Sequence, residues 1–219
     1  VTGFSKLSAQ IFILGVGIFA CLGQKADAAG GAAEPIAVKV LVKDYAGVSP
    51  DVIEKARIVT TRIYRRIGVD ITWFGDGTQE QEIPGDPAGN EAFCASVLVV
   101  NLHLEPPEAD GDRLGTMGIA AVGSRVARVF MVPVTQAAFK AHLEPSTVLG
   151  HVIAHELGHL LLPPHSHSPK GLMRATLDDM GVRMAQLWFD ETQAALIRIR
   201  LSGSAPPDLV ARGREPDRQ

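Results

Sequence analysis

Gly150–Ala175 reads GHVIAHELGHLLLPPHSHSPKGLMRA, and what this stretch needs dictates how the rest of the chain is read. Within it stands His155-Glu156-Leu157-Gly158-His159. Residues four apart on an α-helix lie one above the other, so His155 and His159 share a face and can grip one zinc ion. Glu156 sits beside the first ligand, within reach of a water on that metal. Pro145-Ser146 begins the helix, and Pro163-Pro164 stops it after Leu162, because proline can neither donate to the helical ladder nor fit against the preceding turn. Five of the seven histidines, His151, His155, His159, His165 and His167, fall within seventeen residues. The rise per residue excludes His151 from an ion held by His155 and His159: residues 151 and 159 are about 12 Å apart along the axis. His151 is therefore expected to pack or to support a ligand. His103 is expected to be a satisfied polar neighbour of the core, and His142 to lie on the surface.

A catalytic zinc keeps three protein ligands and leaves a fourth position for water. The third ligand must come from the bend after the helix, where His165 and His167 both qualify by position. Met173, in Gly171-Leu172-Met173, follows as an apolar residue placed to form a floor.

These residues resemble the zincin metallopeptidases, and more narrowly the metzincins, whose pattern is HExxHxxGxxH followed by a methionine turn. His155, Glu156, His159 and His165 occupy that pattern, with Met173 as the methionine-turn candidate. Leu162 stands where the metzincin pattern has glycine. A second likeness, to small exported bacterial zincin-like proteins with the run AHE-x-GHLLL…SHS-x-x-G-x-M-R, aligns His167 instead and leaves His165 in a variable link. Trp73, ending a strand before an acidic loop, fits that second pattern too. The metal set is thus His155, His159 and His167, with His165 as the alternative third ligand. The resemblance implies a zinc-dependent peptidase, and an endopeptidase in particular, with Glu156 as general base on a zinc-bound water. The resemblance also places an extended peptide along an edge strand, which is expected over Val126–Val132. The tyrosine that metzincins use to stabilise an oxyanion has no counterpart near Met173. Tyr45 and Tyr64 are far upstream, and Arg174 is the only neighbour that could substitute. The competing reading is a non-catalytic zinc-binding or interaction protein in which His165 and His167 both bind and close the coordination sphere.

Outward from the motif, Ile36–Val42, Val69–Phe74 and Ala95–Leu104 read as strands, the last strongly apolar and central. Gly118–Val122 and Val126–Val132 can form a hairpin across Gly123-Ser124, with Pro133 ending its second strand and marking an edge. Ser49-Pro50 opens a helix whose apolar positions Val52, Ala56, Val59, Ile63 and Ile67 recur at helical spacing, and Gly68 closes it. Gln136–His142 reads as a short helix, and Asp190–Leu201 as an amphipathic one. The expected class is α+β: a zincin-like twisted mixed sheet of four or five strands, a backing helix, the HExxH helix and a C-terminal helix.

Residues 36–201 form the expected peptidase domain. Ahead of it, Lys6, the apolar run Ile11–Leu22 and Ala26-Asp27-Ala28 read as a signal peptide over 1–28, followed by a small-residue linker over 29–35. Twelve apolar residues are too few to cross a bilayer core, which needs about twenty. The expected location is therefore periplasmic or extracellular, and Val1, fitting a non-AUG initiation codon, points to a bacterial source. Cys21 offers a lipid-anchor alternative, although Phe19 fits a lipoprotein box poorly. With the signal removed, Cys94 is the one thiol left, so no internal disulfide forms. Residues 202–219 are polar, with proline and glycine, and are expected to be disordered. The 219 residues are 46% hydrophobic and 21% charged with net charge −3. That balance offers no basic patch for nucleic acid. The expected partner is a peptide or protein substrate, met by a monomer.

Overall fold

The computed structural model describes residues 36–77, 97–107, 115–121, 123–175 and 187–203. The signal segment with Cys21, the linker, Cys94 and the tail beyond Gly203 lie outside the described residues.

Five strands form one mixed sheet: β1 (Ile36–Asp44), β2 (Val69–Gly77), β3 (Val97–His103), β4 (Gly118–Ala120) and β5 (Val126–Phe130), in the order β2-β1-β3-β5-β4. β1 pairs in parallel with β2 and β3, and β3 with β5, while β4 runs antiparallel to β5. The reason for the parallel core is legible in composition. β1 and β3 are nearly continuous β-branched and leucine runs, which suits strands covered on both faces. In β1, Val40, Leu41 and Val42 are all fully buried although they alternate between faces.

Four helices accompany the sheet: α1 (Pro50–Arg66), α2 (Met131–Ala141), α3 (Pro145–Leu161) and α4 (Glu191–Leu201). α1 buries Ile53, Ala56, Thr60, Ile63 and Tyr64 on one face. α3 crosses it closely at Gly150, where a Cβ would lie 2.6 Å from the Val59 side chain. Thr60 fixes this crossing by donating its hydroxyl to the Gly150 carbonyl at 2.9 Å. Tyr64, also from α1, donates its phenol to the Ala154 carbonyl at 3.3 Å. α3 is buried on every side from Val148 to Gly158, so it is a core helix and not a surface one. Each fully buried leucine, isoleucine or valine contributes about 1.5–3 kcal/mol, so the motif helix is held by the whole core rather than by its own propensity. α4 is closed at its start by a capping box, in which Asp190 accepts from the Gln193 backbone N–H and the Gln193 side chain accepts from Asp190 N–H.

The architecture is the expected α+β sheet with a backing helix, motif helix and C-terminal helix, and β3 is the central strand. Two expectations are corrected. Val126–Val132 is neither one strand nor an edge. The strand stops at Phe130, the chain turns at once into α2, and β5 lies between β3 and β4. Pro133 caused the misreading. It sits in the first turn of α2, where a missing N–H costs nothing because no intrahelical acceptor exists for it. The edge strand is β4.

Candidate metal centre

α3 presents His155 and His159 from successive turns, and their Nε2 atoms face each other at 3.0 Å. The helix ends at Leu162, whose backbone is extended, and the two prolines follow. His165 then adopts a left-handed backbone, φ 60°, and turns the chain back. The turn brings His167 to the pair: its ring lies 4.6 Å from His159 and 5.6 Å from His155, centroid to centroid. One ligating atom from each of His155, His159 and His167 lies within 4.8 Å of the others. His165 is exposed and stands outside this trio. Among the described residues no fourth histidine, cysteine or carboxylate joins them.

The loop that carries His167 is stitched to the next turn. Ser168 N–H donates to the Met173 carbonyl at 2.7 Å, and Ser168 hydroxyl donates to the Lys170 carbonyl. Gln193 of α4 donates to the same hydroxyl oxygen. Gly171 has φ 78°, and a Cβ there would lie 2.6 Å from the Trp188 carbonyl oxygen, so only glycine permits this turn. Leu172 N–H donates to that carbonyl at 2.9 Å. The Leu172 carbonyl in turn accepts from His155 Nδ1 at 2.8 Å. A carbonyl only accepts, so His155 Nδ1 carries the proton and Nε2 keeps a lone pair for a cation. His159 Nδ1 meets the Ser166 hydroxyl at 3.3 Å, which can serve either tautomer. Met173 is fully buried and packs beneath α3 at Gly158, where a Cβ would lie 2.7 Å from its sulfur.

The donor set fits a zinc ion. Tetrahedral nitrogens about 2.0–2.1 Å from zinc stand roughly 3.4 Å apart, and the His155–His159 pair needs only a few tenths of an ångström of opening. The imidazoles are also neutral, as a metal requires. Burial lowers His155, partly offset by the Leu172 carbonyl, and burial with the neighbouring imidazoles lowers His159 to about 4.

Glu156 points the other way from a surface residue: it is 4% exposed, and burial pushes its carboxyl up to about 8. It packs against β4. A Cβ at Gly118 would lie 2.6 Å from Glu156 Oε1. The general-base candidate, the histidine trio and the edge strand therefore meet in one place.

The remaining expected residues fall elsewhere. His151 is buried and donates from Nδ1 to the Thr147 carbonyl one turn back. His142 is an exposed cap at the end of α2. His103 is not satisfied as expected: its Nε2 is buried without a hydrogen-bond partner, and its ring stacks on Tyr45 at 5.3 Å. With Tyr45 on His103 and Tyr64 hydrogen-bonded to α3, neither tyrosine offers an oxyanion group. Arg174 is half-buried beside Met173. Sequence reasoning missed Leu172, Ser166 and Gly118. Ser166 carried a signal, a hydroxyl between two candidate ligands. Leu172 acts through its backbone, and Gly118 lies far from the motif in sequence, so neither carried one.

No protein-family model matches the chain, and no curated protein matches it. Among solved structures it is similar to a zinc-dependent peptidase from Methanocorpusculum labreanum (strain Z), with a TM-score of 0.52 and 14% identity over 73% of this chain and 99% of that one. At that identity the likeness is one of fold.

Proposed function

We propose that this chain is a zinc-dependent peptidase, with His155, His159 and His167 as metal ligands and Glu156 as general base. The observation that carries this reading is the convergence of three imidazoles within 4.8 Å beside a buried carboxyl and an edge strand. The fold likeness to a zinc-dependent peptidase supports it. Zinc, when bound, supplies Lewis acidity toward the scissile carbonyl and lowers the pKa of water toward 7.

The chain's own residues do the rest. The Leu172 carbonyl holds the His155 ring in the ligating tautomer. Ser166 does the same for His159 by accepting from its Nδ1. Met173 fills the space under Gly158 and keeps the helix and the following turn in fixed register. β4 offers the exposed backbone of an edge strand, and an extended peptide pairing with it lies beside Glu156. Glu156 takes a proton from the attacking water and returns it to the leaving amine. Its raised pKa suits a group that must hold that proton between the two transfers. An exported location follows from the N-terminal segment and belongs to the same proposal.

The closed four-ligand alternative loses support, because His165 stands apart from the trio. The test is cleavage of a random peptide library by the zinc-loaded chain. Chelator-sensitive cleavage that Glu156→Gln abolishes supports the reading. Cleavage indifferent to chelator, or no cleavage of any peptide, overturns it.

A further inference from the structure

An open groove of about 740 Å³ begins at His159. Its walls come from the end of α3 (Leu160 to Pro164), from the β4–β5 turn at Gly123–Arg125, and from Leu196, Ile199 and Arg200 of α4. The groove continues the line of the edge strand. Gly118, at the start of β4, touches Glu156, and the strand then runs antiparallel to β5 toward the turn that forms the groove wall. A peptide lying on β4 would thus pass Glu156 and the histidines and reach the groove.

The direction follows from strand pairing. Antiparallel pairs are slightly more stable per residue than parallel ones and are the commoner kind. A peptide pairing antiparallel to β4 places its carboxyl-terminal part at Gly118 and its amino-terminal part in the groove. At about 3.3 Å per residue, the groove takes side chains within about three residues of the scissile bond. Its chemistry then selects them. Leu160, Leu196 and Ile199 are half-buried and offer apolar walls. The exposed side chains of Arg125 and Arg200 supply the formal charge, and no acidic residue lines it among the described residues.

We infer that this groove reads the peptide on the amino-terminal side of the scissile bond and selects a large apolar side chain next to an acidic one. The inference rests on the peptidase reading above. It assigns Leu196, Ile199, Arg125 and Arg200 as specificity determinants.

The experiment uses the zinc-loaded full chain and quenched fluorescent peptides varied at the three positions before the scissile bond. Peptides with leucine or phenylalanine beside glutamate should show kcat/KM about tenfold above those with serine beside lysine, the scale of discrimination an apolar pocket provides. The double variant Arg125→Glu/Arg200→Glu should reverse the glutamate–lysine preference. Leu196→Ala, checked for an unchanged circular dichroism spectrum, should shrink the apolar preference several-fold. Chelator-sensitive cleavage that ignores these three positions, that selects on the carboxyl-terminal side instead, or that keeps its glutamate preference in the double variant overturns the inference alone. Absence of cleavage with every peptide overturns it together with the peptidase reading.

Discussion

Gly118 and Glu156 are packed so closely that the space of a single methyl group on the first is already filled by the carboxyl of the second, with a Cβ position 2.6 Å from Oε1. The edge strand therefore sets where the proton-transfer group can stand. Gly118→Ala must displace either the carboxyl or the strand. Misplacing a catalytic group by about 1 Å costs on the order of 100-fold in rate. The variant is expected to lose that much in kcat while retaining zinc stoichiometry, as read by peptide hydrolysis beside metal analysis. Wild-type kcat in Gly118→Ala would refute the positioning role.

The third ligand can be separated from its neighbour two residues away. His167→Ala removes one of three imidazoles from the trio and should weaken zinc binding by at least 100-fold, whereas His165→Ala should leave affinity within about threefold. The larger figure is the upper end of what even the loss of a supporting partner costs a metal site. Competition titration with a chromophoric chelator measures both. The reverse ranking would return His165 to the coordination sphere.

How much of this was readable beforehand depended on whether the signal was local. The motif helix announced itself because four-residue spacing on a helix is a geometric identity, and the buried strands because β-branched runs leave few alternatives. The choice between His165 and His167 was not decidable from spacing: both follow two prolines, and the left-handed turn at His165 that swings His167 inward is a property of the folded loop. Pro133 was ambiguous for a similar reason. Proline is compatible with the end of a strand and with the first turn of a helix, and only the sheet order decides. Leu172 and Gly118 contribute backbone atoms or empty space, which a side-chain alphabet does not display.

Metal-free stability should depend on pH in a way that identifies Glu156. Its folded-state pKa is raised from 4.5 to about 8, so the fold holds a proton there that the unfolded chain releases. That contribution is complete below pH 4.5 and is lost as pH rises toward 8. His151, His155 and His159 have the opposite sense. Each is lowered from 6.5, so their contribution grows as pH rises and is complete above 6.5. Between pH 6.5 and 8 the carboxyl acts alone among these groups, and the metal-free protein should lose on the order of 1 kcal/mol per pH unit. Urea unfolding in chelator across that range should show the slope, and Glu156→Gln should flatten it. An equal slope in the variant would assign the effect elsewhere.

The packing of Gly158 on Met173 and Phe189 makes a further demand. A Cβ there would meet the Met173 sulfur at 2.7 Å and the Phe189 ring at 2.9 Å. Gly158→Ala gains helix propensity of about 1 kcal/mol but overpacks a full core, at a cost of about 1–3 kcal/mol. The net should be a lower Tm together with weaker zinc binding, because His155 and His159 flank the displaced turn. Thermal unfolding of the zinc-free and zinc-loaded variant reads both. A Tm above wild type would contradict the contact.

The central claim is that His155, His159 and His167 hold one zinc ion with a position left for solvent. Crystals of the zinc-loaded protein, measured with anomalous scattering at the zinc edge, test it most directly. The account predicts a single strong peak about 2.0–2.1 Å from one nitrogen of each of these three imidazoles, with a non-protein fourth ligand. A peak bound by four protein ligands, or no peak between His155 and His159, would contradict it.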